Sequence, residues 1–240
     1  MEELVRLIYF YCFGAAFVVF GALGLYLWWI YKDYSKSEYP AKSGCGYWKV
    51  VFDVGTRGEY YTFRIFEKEN YPYLLCNVYL PSTNKKLETT EIDMLAVTPQ
   101  GVVVVESKNY SGWIFGREKD RNWTQVIYRY KTMFYNPIKQ NASHITALIK
   151  VLGDENETPI FSYIVFSQRC ELKAVEFDVE NVWVLKRSGL KQLIKKELEN
   201  KERILSEYQM KALYDRLLAY CNMSEEIKQK HVDDIKESIT

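Results

Sequence analysis

TTEIDMLAVTPQGVVVVESK, residues 89–108, contains two apolar runs on either side of Pro99-Gln100-Gly101. The runs are rich in Val, Ile, Leu and Thr, many of which favour extended strands, and a Pro-Gln-Gly sequence is typical of a tight turn. The stretch therefore predicts two antiparallel strands, at 89–97 and 102–106, joined by a short hairpin loop.

Charged side chains gather at the open end of this hairpin. If Pro99-Gln100 is a two-residue loop, Asp93 lies directly opposite Glu106, and Lys108 shares the face of Glu106. A bulge at Gly101 would shift this register by one residue. Facing carboxylates repel each other unless something neutralises them, and Mg²⁺ commonly binds one or two carboxylates together with water and a substrate phosphate. The pattern is compatible with a metal site, but Glu/Lys pairs are common at strand ends, so spacing alone favours a structural salt bridge.

The flanking sequence predicts a mixed α/β domain. An amphipathic helix is expected at 58–68, and Asn136-Pro137 supplies the cap and first-position residues that begin another helix. Further strands are expected at 73–80, 112–116, 123–130, 160–166 and 182–185, and closing helices at 190–198 and 207–220. This order predicts a mixed β-sheet with helices on its faces.

The N-terminal segment predicts a membrane anchor. Residues 7–31 carry no charge, and a helix of that length exceeds the roughly 30 Å hydrocarbon core of a bilayer. Bulky aromatic residues gather at its C-terminal end, whereas a cleaved signal peptide has a shorter apolar run that ends in small residues; a buried core helix is the other alternative. The excess of lysine after the segment (Lys32, Lys36, Lys42, Lys49) predicts that the soluble domain faces the cytoplasm.

Composition argues against several classes of protein. The chain has 240 residues, a net charge of +1 and an ordinary apolar fraction, so neither disorder nor an overall basic coat for nucleic acid is expected. Its five cysteines are scattered without a C-x-x-C pair, which argues against a zinc site or a disulfide framework and favours a reducing compartment. The sequence has no P-loop, Rossmann, zincin or serine-hydrolase motif.

Five short motifs in series resemble the nuclease-related domain (NERD) family. They are GTRGE at 55–59, EID at 91–93, VESKNYSG at 105–112, WTQ at 123–125 and FYNPIKQN at 134–141, and His144 follows. The resemblance covers residues 50–152. Because this family is similar to the PD-(D/E)xK nucleases, it implies a restriction-endonuclease-like mixed β-sheet flanked by helices, here preceded by one N-terminal transmembrane helix.

The resemblance also implies roles for individual residues. Asp93 matches the metal-binding aspartate, Glu106 the second metal-binding carboxylate, and Lys108 the lysine of the motif. Glu59 matches an acidic residue on the first helix that can join the metal shell. Gln125 matches a polar position that is often near the site.

These expectations combine into a membrane-anchored nuclease that hydrolyses DNA phosphodiester bonds with Mg²⁺ or Mn²⁺. Its predicted parts are a transmembrane helix at 7–31, a juxtamembrane linker at 32–46, a nuclease domain with C-terminal helices at 47–220 and a charged tail at 221–240. The alternative is a catalytically silent, membrane-tethered module of the same fold that binds nucleic acid or protein.

The remaining polar residues receive smaller roles. His144 is expected to support the site rather than to catalyse, and His231, in the charged tail, is expected to be solvated. Residues 139–141 are expected on a solvated helix face, with a nucleic-acid groove as the alternative. The tyrosines at 128–130 are open to base stacking as well as to plain packing.

Overall fold

The computed structural model of the chain describes residues 1–84, 87–153, 157–221 and 223–239. A long N-terminal helix, α1 (Glu2–Tyr34), leads into three further helices: α2 (Tyr39–Ser43), α3 (Tyr47–Phe52) and α4 (Val54–Lys68). Six strands follow: β1 (Tyr73–Pro81), β2 (Thr89–Thr98), β3 (Gly101–Lys108), β4 (Gly112–Arg117), β5 (Asn122–Ile127) and β6 (Tyr130–Tyr135).

The second half of the chain alternates helices with strands. Helix α5 (Pro137–Leu152) precedes β7 (Ile160–Phe166), β8 (Cys170–Glu176) and β9 (Val182–Lys186). Helix α6 (Arg187–Leu193) continues as a π-helical segment over Ile194–Leu198, and α7 (Glu207–Leu218) and α8 (Glu225–Ile239) close the described chain. The predicted mixed α/β class is confirmed.

Two mixed sheets form the framework. The first has the strand order β1-β2-β3-β7-β9, with antiparallel pairs up to β3 and parallel pairs from β3 onward. The second has the order β6-β5-β4-β8, and only its β4–β8 pair is parallel. Strand β3 pairs with β2 on one side and with β7 on the other, so its end lies inside the first sheet rather than at its edge.

The β2–β3 hairpin has the register that the sequence predicts. Thr98 pairs with Gly101 and Met94 with Val105, so Pro99-Gln100 is a two-residue loop. Gly101 has a φ of 143°, and a Cβ there would lie 2.2 Å from the carbonyl oxygen of Pro159. Only glycine fits this position, because any side chain would collide with a neighbouring backbone.

Helices cover both faces of the first sheet. On one face, α4 buries Tyr60, Phe63 and Phe66 against β-strand residues. On the other face, α5 and α7 pack through apolar residues such as Leu148 and Leu217. A third cluster, which includes Trp123 of β5 and Phe166 of β7, joins the second sheet to the first. The C-terminal end of β3 therefore lies among packed elements on several sides.

The second sheet was not predicted. The expected strand at 123–130 ends at Ile127, and strands β6 and β8 have no counterpart among the expected elements. Most residues of both strands are exposed, so they lack the apolar alternation that reveals a half-buried strand.

The segment expected as a juxtamembrane linker packs against the domain. Tyr34 and Tyr39 are buried in the same cluster as α4, and Tyr34 donates a hydrogen bond from its hydroxyl to the carbonyl of Cys45 at 2.6 Å. Arg64 of α4 forms an ion pair with Asp33 at 2.6 Å. The C-terminal end of α1 is thus fixed to the domain by aromatic packing and by charge.

The segment expected as a charged tail includes helix α8, and the assignment of His231 as solvated was wrong. His231 is buried, and its Nδ1 lies 3.1 Å from the carbonyl oxygen of Thr89 and 3.2 Å from the Thr89 hydroxyl. Its ring also meets Tyr79 edge to face. Its neighbours in the sequence are mostly charged, which predicts a solvated position. The histidine is buried through a contact with a residue 142 positions away, which no local pattern indicates.

Asn136 fixes the start of α5 to the turn between β4 and β5. Its Oδ1 accepts a hydrogen bond from the backbone N–H of Ile138, which caps the helix as predicted. Its Nδ2 donates toward the carbonyl oxygens of Arg117, Glu118 and Asp120, at 3.1, 2.9 and 2.7 Å. The side chain is fully buried, so one amide satisfies groups on two separate elements.

We expect Asn136→Ala to lower the free energy of unfolding by about 2–4 kcal/mol, because it removes a helix cap together with the hydrogen bonds from a fully buried amide to the carbonyls of the β4–β5 turn. Thermal unfolding of the full chain in detergent measures the change. The control is Ser206→Ala, which removes the exposed cap of α7 and should cost only about 1 kcal/mol. Equal losses in the two variants would contradict the argument.

Candidate active site

The end of β3 holds a buried ion pair. Nζ of Lys108 lies 2.6 Å from Oε1 of Glu106, and the Glu106 side chain is only 2% exposed. Burial alone would raise the pKa of Glu106, but Lys108 and His144 outweigh it and lower that pKa. Burial alone would lower the pKa of Lys108, but the charges of Glu106 and Asp93 raise it. Both groups are therefore charged at neutral pH.

Asp93 lies beside this pair on β2, one position beyond the last paired residues of the hairpin. Its Oδ2 accepts a hydrogen bond from the backbone N–H of Ser107 at 2.7 Å. No ion pair joins Asp93 to a cation among the described residues. Burial and the negative charges of Glu106 and Glu59 raise the pKa of Asp93 well above its usual range. The site thus brings three acidic groups together with a single ammonium, that of Lys108.

Two residues of α5 complete the contacts of the pair. His144 is buried, and its Nε2 lies 3.2 Å from Oε2 of Glu106 while its Nδ1 lies 2.7 Å from the Thr90 hydroxyl. Because a carboxylate only accepts hydrogen bonds, Nε2 of His144 donates to Glu106. Oε1 of Gln140 accepts a hydrogen bond from Nζ of Lys108 at 3.0 Å.

The placement of 139–141 on a solvated face was wrong for two of the three residues. Gln140 contacts Lys108, and Asn141 is buried, with its Nδ2 donating to the carbonyl of Val104 and to the hydroxyl of Ser162. Gln140 and His144 are four residues apart, so they share one helix face. This spacing is the signal that could have predicted their position, because the same helix face carries the buried apolar residues of α5 and therefore faces the sheet.

Glu59 of α4 lies in a polar cavity next to the site. The cavity has a volume of about 240 Å³, and its lining includes Glu59, Glu91, Lys49, Thr56, Asn77 and Tyr79. Burial, followed by the negative charge of Glu91, raises the pKa of Glu59 to about 7. Glu59 is near enough to Asp93 for its charge to raise that pKa too, although its strongest acidic neighbour is Glu91.

The raised pKa of Glu59 predicts a pH dependence of stability. The folded state holds the proton up to a pH of about 7, whereas 4.5 is the ordinary value, so the stabilisation is complete below pH 4.5 and is lost as the pH rises through 7. Glu59→Gln imitates the neutral form at every pH. In EDTA, we expect the free energy of unfolding of the variant, relative to that of the wild type, to increase by about 2–3 kcal/mol from pH 5 to pH 8. The corresponding change in Tm is roughly 5–10 °C.

Thermal unfolding of the full chain in detergent at both pH values tests this expectation. Glu171→Gln, which removes an exposed carboxylate of β8, serves as the matched control and should show no such gain. A difference between Glu59→Gln and the wild type that stays constant from pH 5 to pH 8 would contradict the assigned pKa.

Gln125 lies on β5 and does not contact the charged pair directly. Its Nε2 donates a hydrogen bond to the carbonyl of Ser111 at 2.8 Å. Ser111 belongs to the short connection between Lys108 and β4. The structure therefore brings Glu106 and Lys108 into contact and places Asp93 beside them, while Glu59 lines the adjoining cavity and Gln125 holds the connection that follows Lys108.

The carboxylate oxygens of this site suit a hard divalent cation. No cluster of three or more His, Cys, Asp or Glu side chains arranged for a metal ion occurs in the part of the chain that the structure describes. Mg²⁺ and Mn²⁺ need fewer protein ligands than that, because water and substrate phosphate fill their remaining positions. The crowding of Asp93, Glu106 and Glu59 around one ammonium is the observation that fits a dication, because a bound cation would favour the ionised form of each carboxyl.

Comparisons with known proteins find a family model that matches the part of the chain around this site. The model of the nuclease-related domain family matches residues 54–167, from the first residue of α4 to the residue after β7. An uncharacterized protein of Bacillus anthracis is 36% identical over 145 residues, which cover 60% of this chain. The same match covers 66% of the relative, so the chain spans slightly less than two thirds of that protein's length. No solved structure matches the chain.

The matched range contains each residue that the sequence assigned to the site, namely Glu59, Asp93, Glu106, Lys108 and Gln125. It also contains the two α5 residues that contact the ion pair. The chain therefore carries a domain of the nuclease-related (NERD) family at residues 54–167.

Proposed function

We propose that the chain is a membrane-anchored nuclease that hydrolyses DNA phosphodiester bonds with Mg²⁺ or Mn²⁺. The observation that carries the proposal is the buried Glu106–Lys108 pair beside Asp93, at the end of a hairpin within a nuclease-related domain. A buried ammonium held against a carboxylate, next to an unneutralised aspartate, is costly for stability and well suited to phosphoryl chemistry.

Each residue has a distinct part in the proposal. Asp93 and Glu106 would hold the cation, and Glu59 would join them from the adjoining cavity. A divalent cation in this place supplies Lewis-acid stabilisation to the phosphoryl oxygens. Lys108 would orient the attacking water and stabilise developing negative charge with its ammonium. Gln125 would keep the connection after Lys108 in place through Ser111.

The connection between β5 and β6 offers a contact for the nucleic-acid strand. Tyr128 is 96% exposed and Tyr130 is 67% exposed, and they flank Arg129, whose guanidinium lies over the Tyr130 ring. Gly112, four residues after Lys108, packs tightly against β5 at Val126. Aromatic rings with nearby cations suit both the bases and the phosphates of a polyanion.

Membrane anchoring belongs to the same proposal. One helix in the described part of the chain, Glu2–Tyr34, is long and apolar enough to cross a bilayer, with a mean hydropathy of 2.0 over its best window. None of that window is buried against the rest of the chain. A fully exposed apolar face of this length is unfavourable in water, so we propose a membrane span with the nuclease domain in the cytoplasm.

The proposal is tested with the full chain in detergent micelles or nanodiscs. Labelled single-stranded DNA, double-stranded DNA and RNA of the same sequence are incubated with Mg²⁺, with Mn²⁺ or with EDTA. We expect cleavage of DNA with either cation and none with EDTA. Intact DNA under every metal condition, with protein that is folded by circular dichroism, would refute the proposal.

A second candidate is the silent binding module, and one observation favours it. Both carboxylate oxygens of Glu106 already have partners, Lys108 and His144, so a cation must compete for them. Metal titration separates the two candidates. A working site stabilises the folded domain by mass action, so Tm rises with Mn²⁺, whereas a silent site leaves Tm unchanged.

A further inference from the structure

Helix α3 presents two large aromatic side chains to the outside of the molecule. Trp48 is 60% exposed and Phe52 is 76% exposed, and their rings stack at a centroid distance of 5.7 Å. They are four residues apart, so they lie on one side of the helix, while Val50 on the other side is fully buried. A helix with one buried face would ordinarily carry polar residues at the two outer positions.

The position of α3 along α1 explains this exposure. The hydroxyl of Tyr47 donates a hydrogen bond to the carbonyl of Leu27 at 2.7 Å, and its ring contacts the rings of Tyr31 and Tyr34. Leu27 lies two helical turns before the end of α1, about 10 Å along its axis. Helix α3 therefore runs beside the last two turns of the apolar helix.

Those two turns carry the residues that prefer a membrane–water boundary. Trp28, Trp29 and Tyr31 are each more than half exposed, and Nζ of Lys32 lies 5.1 Å from the centre of the Trp28 ring. Tryptophan, tyrosine and lysine concentrate at the level of the lipid headgroups. The ring of Trp48 lies 5.0 Å from that of Tyr47, which places it next to the same level.

We propose that α3 is a second membrane contact, lying in the lipid interface with Trp48 and Phe52 inserted among the headgroups and upper acyl chains. The bilayer itself covers these rings, because they lie next to the aromatic end of the spanning helix. A bilayer held there by α1 covers them without any further partner. This inference rests on the proposed membrane span and adds a fixed orientation of the domain to it.

The consequence for the site follows from chain connectivity. Asp53, directly after α3, caps α4 by accepting a hydrogen bond from the backbone N–H of Thr56, and Glu59 lies about 8 Å along that helix. The ion pair between Asp33 and Arg64 also joins α4 directly to α1. With α1 and α3 both fixed at the interface, the polar cavity beside the site has a fixed distance from the headgroups.

Fluorescence quenching in nanodiscs tests this placement. The full chain receives Cys12→Ser, which removes the one exposed cysteine, since the other four are buried. Single labelling sites are then introduced as Trp29→Cys on α1, Phe52→Cys on α3 and Tyr208→Cys on α7. Tyr208 is 83% exposed, and α7 packs on the sheet face opposite α4, so this site is the matched control. Each variant carries an environment-sensitive fluorophore in phosphatidylcholine nanodiscs with nitroxide at acyl carbon 5.

We expect the labels at 29 and 52 to lose at least about half of their fluorescence and the label at 208 to lose less than about a tenth, because contact quenching acts only within the lipid layer. Quenching at 29 without quenching at 52 would overturn the interfacial placement of α3 and leave the span intact. Absence of quenching at both positions would overturn the membrane span as well. Equal quenching at 208 would also overturn the inference, because the contact would not be specific to α3.

Discussion

Asp93→Asn is expected to lower metal-dependent DNA cleavage by about a thousandfold or more, while the metal-free protein becomes no less stable. The amide keeps the size of the carboxylate, and its oxygen can still accept the hydrogen bond from the N–H of Ser107. What the substitution removes is the negative charge beside Glu106 and Glu59. Burial, followed by the charges of those neighbours, raises the pKa of Asp93, so a side chain that cannot ionise avoids both the desolvation cost and the repulsion.

The stability change has a definite sign. A raised folded-state pKa means that the proton bound to Asp93 stabilises the fold at low pH, and that this contribution is lost as the pH rises. Asparagine cannot ionise, so in EDTA at pH 8 we expect the free energy of unfolding to stay the same or to rise. A substitution that abolishes activity and also stabilises the protein is typical of a functional residue.

Three measurements separate this result from a folding defect. Cleavage is measured with Mg²⁺ and Mn²⁺, thermal unfolding with EDTA, and thermal unfolding again across a Mn²⁺ titration. The variant should lose most of the Mn²⁺-induced rise in Tm that the wild type shows. Glu171→Gln is the control and should match the wild type in all three. Undiminished cleavage by Asp93→Asn, or a metal-induced rise equal to that of the wild type, would remove Asp93 from the metal site.

The placement of Asp93 against Glu106 was predictable because it depends on a short-range constraint. A two-residue loop leaves a single register for the strands that it joins, so the loop alone determines which residues lie opposite each other across the hairpin. The start of α5 was predictable for a similar reason, since Asn136 and Pro137 act within one turn of the helix. Both predictions use information within a few residues.

The remaining contacts of the site depend on tertiary packing. Gln140 and His144 reach Lys108 and Glu106 only because α5 packs across β3 and β7, and the parallel β3–β7 pair joins residues that are far apart in the chain. The second sheet depends on β8, whose mostly exposed residues give no alternation. Local patterns do not encode such pairings, so the sequence indicated the carboxylates, the lysine and a supporting role for His144, but neither the role of Gln140 nor the contacts that these two residues make.

Lys108→Met is expected to abolish cleavage as well, but with the opposite effect on stability. Methionine keeps an unbranched apolar side chain and loses the ammonium, so the charge that stabilises the transition state disappears, and activity should fall by about a hundredfold or more. Glu106, 2% exposed, is left with His144 as its hydrogen-bond donor. Removing one partner of a buried ion pair typically costs about 3–5 kcal/mol, and His144 should keep the loss near the lower end.

The pair of variants therefore makes a test that neither makes alone. If the site is a metal-dependent nuclease centre, both Asp93→Asn and Lys108→Met are inactive, yet their Tm values in EDTA move apart, upward or unchanged for the first and downward for the second. Lys173→Met, which breaks an exposed ion pair with Glu171 and a cation–π contact with Trp113, should change stability by less than about 1 kcal/mol and leave cleavage intact. If the Glu106–Lys108 pair were only structural, Lys108→Met would lose stability and still cleave DNA at temperatures well below its Tm. That outcome would exclude Lys108 from the chemistry and leave Asp93 to be explained alone.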